Sequence, residues 1–162
     1  MSTHPVAPDT SIGRLRFWLA TWFGCGLVPF APGTAGSLGA LPLYVLLRPL
    51  GLDVVALAAL LLTAVGVWAA QHVADRKGLH DPQIVVIDEV AGVFVTLLGA
   101  RDGWRWMLAG FVLFRVLDVW KPWPARQAER IHPAGWGIVL DDVFAGAWGA
   151  IALLLAQRLG IP

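Results

Sequence analysis

The chain alternates long apolar runs with short polar breaks, and the apolar positions recur with the period of helices rather than of strands. Residues 11–23 place Ile12, Leu15, Leu19, Trp22 and Phe23 at helical spacing, with Arg14 and Arg16 elsewhere, which predicts a short amphipathic helix lying at an interface. Residues 24–42 are rich in Gly and Pro but carry no charge. A flexible linker is normally polar, so this stretch is expected to pack inside the fold. Residues 38–50 are apolar, contain Pro42, and predict a tilted, partial or re-entrant helix. The clearest spanning pattern is 54–74, uncharged over a length that crosses about 30 Å of hydrocarbon. A polar loop, 75–83, follows. Asp81-Pro82 reads as an N-cap and first-turn proline opening a helix to about Ala100. Asp102 is expected to cap a further helix that ends at Trp120, where Pro122 forces Lys121 out of the α region. Residues 123–131 read as a short amphipathic helix exposing Arg126, Glu129 and Arg130. HPAGWG reads as a turn, and 138–159 as the last apolar helix.

Composition turns this string of helices into a membrane protein. Of 162 residues, 57% are hydrophobic and 14% charged, against about 25% charged in ordinary soluble domains. Mean hydropathy is +0.68. Nine tryptophans supply the anchors typical of membrane–water boundaries. The expected architecture is an all-α, membrane-embedded helical bundle with short interfacial amphipathic helices. Residues 1–10 form a polar tail and 11–162 a single domain. A net charge of +1 without a Lys/Arg cluster argues against nucleic acid as a partner. One cysteine, Cys25, excludes an internal disulfide and reads as packing.

Alternating the direction of the long helices brings the end of the 54–74 helix, the start of the Pro82 helix, the end of the Asp102 helix and the start of the 138 helix to one face. Asp88, Glu89, Asp118, Asp141 and Asp142 then converge there from distant parts of the chain. Arg76, Lys77, Lys121, Arg126 and Arg130 fall on the same side, with Arg101, Arg105 and Arg158 opposite. That bias makes the carboxylate face cytoplasmic.

Carboxylates in an apolar helix cost something like 2.5 to 3.5 kcal/mol each near its centre, so Asp88-Glu89 requires compensation. Pairing with Arg115 or Lys121 is one source. Ligation of a hard divalent cation is the sharper one, and Mg²⁺ takes carboxylate oxygens while bridging to substrate phosphate. Asp141-Asp142, taken alone, fits ordinary helix-start acids. Together with Asp88, Glu89 and Asp118 it points to a metal. Nothing in the pattern argues for zinc. The stretch APGTAGS, 31–37, is similar to a phosphate cradle in which glycines let backbone N–H groups approach an anion, although it lacks a Walker lysine. Arg115 suits bidentate phosphate contact and Lys121 a point-charge contact. His72 and His80 flank the 75–83 loop and read as structural or solvent-facing. A cation or proton transporter would also bury carboxylates among apolar helices, but near the midplane rather than at helix ends on one side.

Four segments in this order, GCGLVPFAPGTAGSLGALP, HDPQIVVIDEVAGVFVTLL, FRVLDVWKPWP and GIVLDDVFAGA, resemble the phosphatidylglycerophosphatase A family over roughly residues 23–150. The resemblance implies a bundle with one central helix ringed by others, in a bacterial inner membrane. It implies Mg²⁺-dependent hydrolysis of phosphatidylglycerophosphate, a phospholipid, to phosphatidylglycerol and inorganic phosphate. By motif match, Asp88, Glu89, Arg115, Asp118, Lys121, Asp141 and Asp142 take the family's charged positions, and Gly33, Thr34 and Ser37 its Pro-Gly-Thr-x-Gly-Ser loop. The sequence departs at 134–137, AGWG in place of the usual Gly-Gly-x-Gly. The resulting expectation assigns Asp88, Glu89, Asp118 and Asp142 to Mg²⁺, with Asp141 and Glu89 also able to orient or accept a proton. Gly33, Thr34, Ser37, Arg115 and Lys121 are assigned to substrate. Attack by water and an aspartyl-phosphate route both suit these residues, and water is preferred.

Overall fold

The computed structural model describes residues 10–160. Residues 1–9, nearly all of the expected polar tail, and 161–162 lie outside the described residues. The described residues form an all-helical bundle of seven α-helices without strands.

Helix α1 (Ser11–Ala20) starts at Thr10, whose hydroxyl accepts from Gly13 N at 3.1 Å. It ends before the amphipathic pattern does, because Trp22 and Phe23 turn the chain through positive φ. A 3₁₀ turn (Cys25–Leu27) and an extended stretch lead into α2 (Pro32–Leu47). Two expectations are corrected here. Residues 24–42 pack inside the fold only in part: 32–42 form the start of a helix with Gly36, Ser37 and Ala40 buried, whereas 27–31 are exposed. The helix also begins at Pro32, with proline in its favoured first-turn place, and runs on through Pro42 to a 3₁₀ turn at Arg48–Leu50.

Helix α3 (Leu52–Lys77) closes at Gly78, in the left-handed conformation. Helix α4 (Ile87–Leu97) begins at Ile87 rather than at Pro82. The intervening residues are tied down elsewhere: Val86 N donates to Ala20 O at 2.9 Å and Val85 N to Pro82 O at 2.9 Å. Asp81 therefore caps nothing, and Asp88-Glu89 stands in the first helical turn. Helix α5 (Trp104–Trp120) is preceded by Gly103; Asp102 pairs instead with Arg48 at 2.9 Å. Lys121 ends α5 at φ 49°, its N–H on Leu117 O at 2.7 Å. The 123–131 amphipathic helix shrinks to α6 (Ala125–Ala128). HPAGWG is not a turn throughout, since α7 (Ala134–Arg158) starts inside it. Gln71 of α3 explains the early start: its Oε1 accepts from Gly135 N at 2.8 Å, satisfying an otherwise orphaned amide.

Helix α4 is apolar beyond its first-turn acids and buried along most of its length, with α2, α3, α5 and α7 packed around it. Its closest neighbour is α7. A Cβ on Gly146 would fall on Gly92 O, so the two backbones touch, and Thr96 Oγ1 bridges them with bonds to Gly92 O at 2.9 Å and Gly146 O at 3.4 Å. That contact fixes the acids on α4 against those on α7. The outer faces carry exposed Leu57, Leu60 and Leu61 on α3 and Ile151, Leu154 and Leu155 on α7. Helices α3 and α7 are long and apolar enough to cross a membrane. The expectation that each successive helix crosses does not hold for α4, whose 11 residues reach only about 16 Å. It is a half-length helix buried in the bundle.

Candidate active site

At one end of the bundle the starts of α2, α4 and α7 and the end of α5 surround a cavity of about 460 Å³. Its walls include Gly33, Asp88, Glu89, Arg115, Asp118, Lys121, Asp141 and Asp142. The five acids expected to converge therefore share one cavity, as do both cations. Thr34 and Ser37 do not line it.

The two acid pairs arrive by different routes from those expected. A helix opening at Pro82 would carry Asp88-Glu89 about a turn and a half in; the pair stands instead at the start of α4, where the positive end of the helix dipole favours anions. Asp141-Asp142 was placed at a helix start and lies instead inside α7. The early start of α7 removes the capping explanation for that pair. Asp88, Asp141 and Asp142 are buried.

Carboxylate oxygens of Asp88, Glu89 and Asp142 all lie within 4.8 Å of one another. Asp88 Oδ1 and Glu89 Oε2 are buried without a hydrogen-bond partner among the described residues. Orphaned, clustered oxygens of this kind are costly unless a cation joins them. Asp118 is engaged differently, its Oδ2 accepting from Arg115 Nη1 at 2.8 Å, with Glu89 Oε1 at 4.0 Å from the same nitrogen. Lys121 Nζ reaches Asp141 Oδ2 at 2.6 Å and Glu129 Oε1 at 3.5 Å. Burial alone would lower the Lys121 pKa. The bond to Asp141, with Glu129 and Asp142 nearby, outweighs it and holds the ammonium above its ordinary value.

The 31–37 stretch acts through its helix start rather than as a loop. Ala31, Pro32 and Gly33 line the cavity, so the start of α2 lies beside it; Pro32 has no N–H, and Gly33 contributes the first-turn amide on this wall. Gly33 is required by contact: a Cβ there would overlap Glu89 Oε1 and approach Arg115 Nη1 at 3.3 Å. Ser37 caps nothing. Its hydroxyl donates to Gly33 O at 2.9 Å and accepts from Arg115 Nη1 at 3.3 Å, which steadies the guanidinium from behind.

Sequence reasoning missed four wall residues: His80, Asp81, Gln83 and Glu129. His80, read as structural or solvent-facing, lines the cavity with Nε2 2.8 Å from Glu129 O. The available signal was the polar density of the 75–83 loop beside the acid motif. His72 lies elsewhere, with Arg14, Arg76 and Lys77. With these additions, seven carboxylates face two permanent cations, a formal excess of five negative charges. A phosphate dianion would be repelled from such a cavity without a metal cation to offset it.

Comparison with known proteins shows the family. Residues 18–157 match the family model described as Phosphatidylglycerophosphatase A. The chain is 40% identical to the Escherichia coli protein named phosphatidylglycerophosphatase A, over 93% of this chain and 91% of that one. It is 41% identical to a Bacteroides thetaiotaomicron protein provisionally named a phosphatidylinositol-3-phosphatase, over 86% of this chain and 91% of the other. A Haemophilus influenzae phosphatidylglycerophosphatase A is 38% identical over 86% of each chain. No solved structure matches the chain.

Proposed function

The chain belongs to the phosphatidylglycerophosphatase A family, and from that premise we propose that it hydrolyses phosphatidylglycerophosphate to phosphatidylglycerol and inorganic phosphate, with Mg²⁺, at the cytoplasmic face of a bacterial inner membrane. It is a phosphatase and a membrane protein. The observation that carries the proposal is the trio of carboxylates within 4.8 Å, two of them with orphaned oxygens, beside Arg115 and Lys121 in one cavity.

Asp88, Glu89 and Asp142 would hold the metal, with Asp118 at the edge of the set, released from Arg115 when substrate takes that guanidinium. Bound Mg²⁺ supplies Lewis-acid stabilisation of phosphoryl charge. The remaining roles fall to side chains and backbone. Arg115, held by Ser37, grips two phosphoryl oxygens, and the amide of Gly33 at the start of α2 receives a third. Water adds to phosphorus and gives up a proton to a carboxylate, Asp141 or Glu89. The P–O bond to glycerol breaks, and the departing oxygen takes a proton to become the free hydroxyl of phosphatidylglycerol. Lys121, charged at neutral pH, offsets the negative charge that builds during transfer. The basic residues Arg76, Lys77, Lys121, Arg126 and Arg130 share this end of the chain's path, which supports a cytoplasmic orientation.

The test is phosphate release from phosphatidylglycerophosphate in detergent micelles, where no gradient exists. Release is expected to vanish with EDTA and return with excess Mg²⁺. A purified, folded protein that releases no phosphate under any divalent cation would sink the proposal, and a transporter is the reading that would then gain.

A further inference from the structure

Residues 27–31, LVPFA, run between the 3₁₀ turn and α2 with no charge and with every side chain exposed; Phe30 is 85% exposed. Single exposed apolar residues are ordinary, but five in succession are not. The backbone there is irregular, which excludes it from the hydrocarbon interior, where unpaired amides are too costly. The residues that flank the stretch are anchored. Val28 N donates to Cys25 O at 3.2 Å and Gly26 N to Thr21 O at 2.9 Å, while Trp22 Nε1 donates to Gly39 O at 2.9 Å on α2. An apolar, non-helical segment belongs at the boundary between headgroups and acyl chains.

Its place relative to the cavity gives that boundary a purpose. Pro29 and Ala31 themselves line the cavity, immediately before Pro32 and Gly33, while Phe30 between them is exposed. On the α5 wall the exposed Val119, Trp120 and Trp123 bracket Lys121 in the same manner, and paired tryptophans favour this depth of a bilayer. Apolar side chains thus flank a strongly acidic cavity on two walls.

We propose that residues 27–31 are a membrane-docking lip, seated in the headgroup–acyl boundary, across which the two chains of a phosphomonoester lipid pass from the cavity into the bilayer. The assignment of the chains rests on the lipid-phosphatase reading; the depth of the lip does not. Substrate therefore enters sideways from the membrane plane, and the lip sets apparent affinity for a lipid while leaving the chemical step alone.

Depth is tested with a nitroxide on Phe30→Cys in a Cys25→Ser background, in proteoliposomes of phosphatidylethanolamine and phosphatidylglycerol. The label is expected to collide more with oxygen than with a water-soluble nickel chelate, at the level of the ester groups. A label open to the chelate marks a water-facing lip, and one shielded from both marks a protein cover. Either result overturns the proposal. The second arm compares wild type with Val28→Ser/Phe30→Ser on phosphatidylglycerophosphate in mixed micelles, at varied surface concentration. KM is expected to rise about tenfold, with kcat within about twofold, from loss of buried apolar area. An unchanged KM removes the role in substrate passage. If wild type fails to cleave the lipid at all, the functional reading fails while the depth measurement still decides the lip.

Discussion

The two ends of this bundle are built from the same apolar helices and carry cavities of similar size, about 460 Å³ at the acid-lined end and about 620 Å³ at the other. Their charges differ in kind. At the far end Arg48 meets Asp102 one to one at 2.9 Å, beside Tyr44 and Trp104, and the pair is largely open to solvent on the Asp side. At the acid-lined end seven carboxylates meet two cations, and two of them, Asp88 and Glu89, carry buried oxygens without a hydrogen-bond partner among the described residues. The far cavity thus sets one carboxylate against its one cation. An uncompensated buried carboxylate destabilises the fold that holds it, so its cost has to be met by a ligand rather than by folding.

That contrast predicts opposite responses of activity and stability. Asp88→Asn and Asp142→Asn should each lower Mg²⁺-dependent phosphate release by about 100- to 1000-fold, the range for losing one electrostatic contact to a transition state. Both variants should also melt no earlier than wild type when metal is absent, because each removes a buried charge from a crowded cluster. Thermal unfolding in detergent with EDTA, alongside the phosphate assay, reads both halves. An inactive variant that also melts well below wild type would make the cluster structural and erase the difference between the ends.

Gly33→Ala should cost less, about tenfold to a hundredfold in kcat/KM, because the new methyl displaces Glu89 Oε1 and crowds Arg115 without removing any charged group. Activity close to wild type would show that the first turn of α2 does not need to approach α4 so closely. Arg115→Lys follows at about tenfold, mainly in KM, since a lysine keeps the charge but loses the fork that can grip phosphate while bonding Ser37. An equal loss in kcat would move Arg115 from binding into the transition state.

The acid-lined end was legible in the sequence because its signal is chemical: Asp and Glu stand out in apolar helices, and helix direction alone places them together. Its fine structure was not, and the reasons are tertiary. Asp81-Pro82 carries a proper helix-start signal, yet a turn closed by Val85 N on Pro82 O and the bond from Val86 N to Ala20 O keep that stretch out of the helix. HPAGWG reads as a turn, yet a glutamine from α3 satisfies Gly135 N and lets α7 begin early. Those two events reverse which acid pair sits at a helix start. No local pattern reports a hydrogen bond to a residue 64 or 66 positions away. Glu129 and His80 read as surface residues for a similar cause, since nothing local shows that Lys121 and the 75–83 loop close over the same cavity.

The smallest effect is expected at the far end, and it is the one that tests the contrast from the other side. Arg48 and Asp102 form a well-placed ion pair, but Asp102 is 83% exposed, so water competes for both groups and screening is strong. A double-mutant cycle of Arg48→Gln and Asp102→Asn should return a coupling of at most about 1 kcal/mol in thermal or chemical unfolding. Phosphate release should stay within about twofold of wild type in all three variants, since nothing at this end reaches the acid-lined cavity. The pair joins the end of α2 to the segment before α5, and α2 and α5 also supply Gly33 and Arg115 to the acid-lined cavity. If breaking it slows turnover severalfold while unfolding barely moves, the two ends are coupled through those helices. A silent cycle leaves the far end as closure alone, with activity confined to the opposite end of the same bundle.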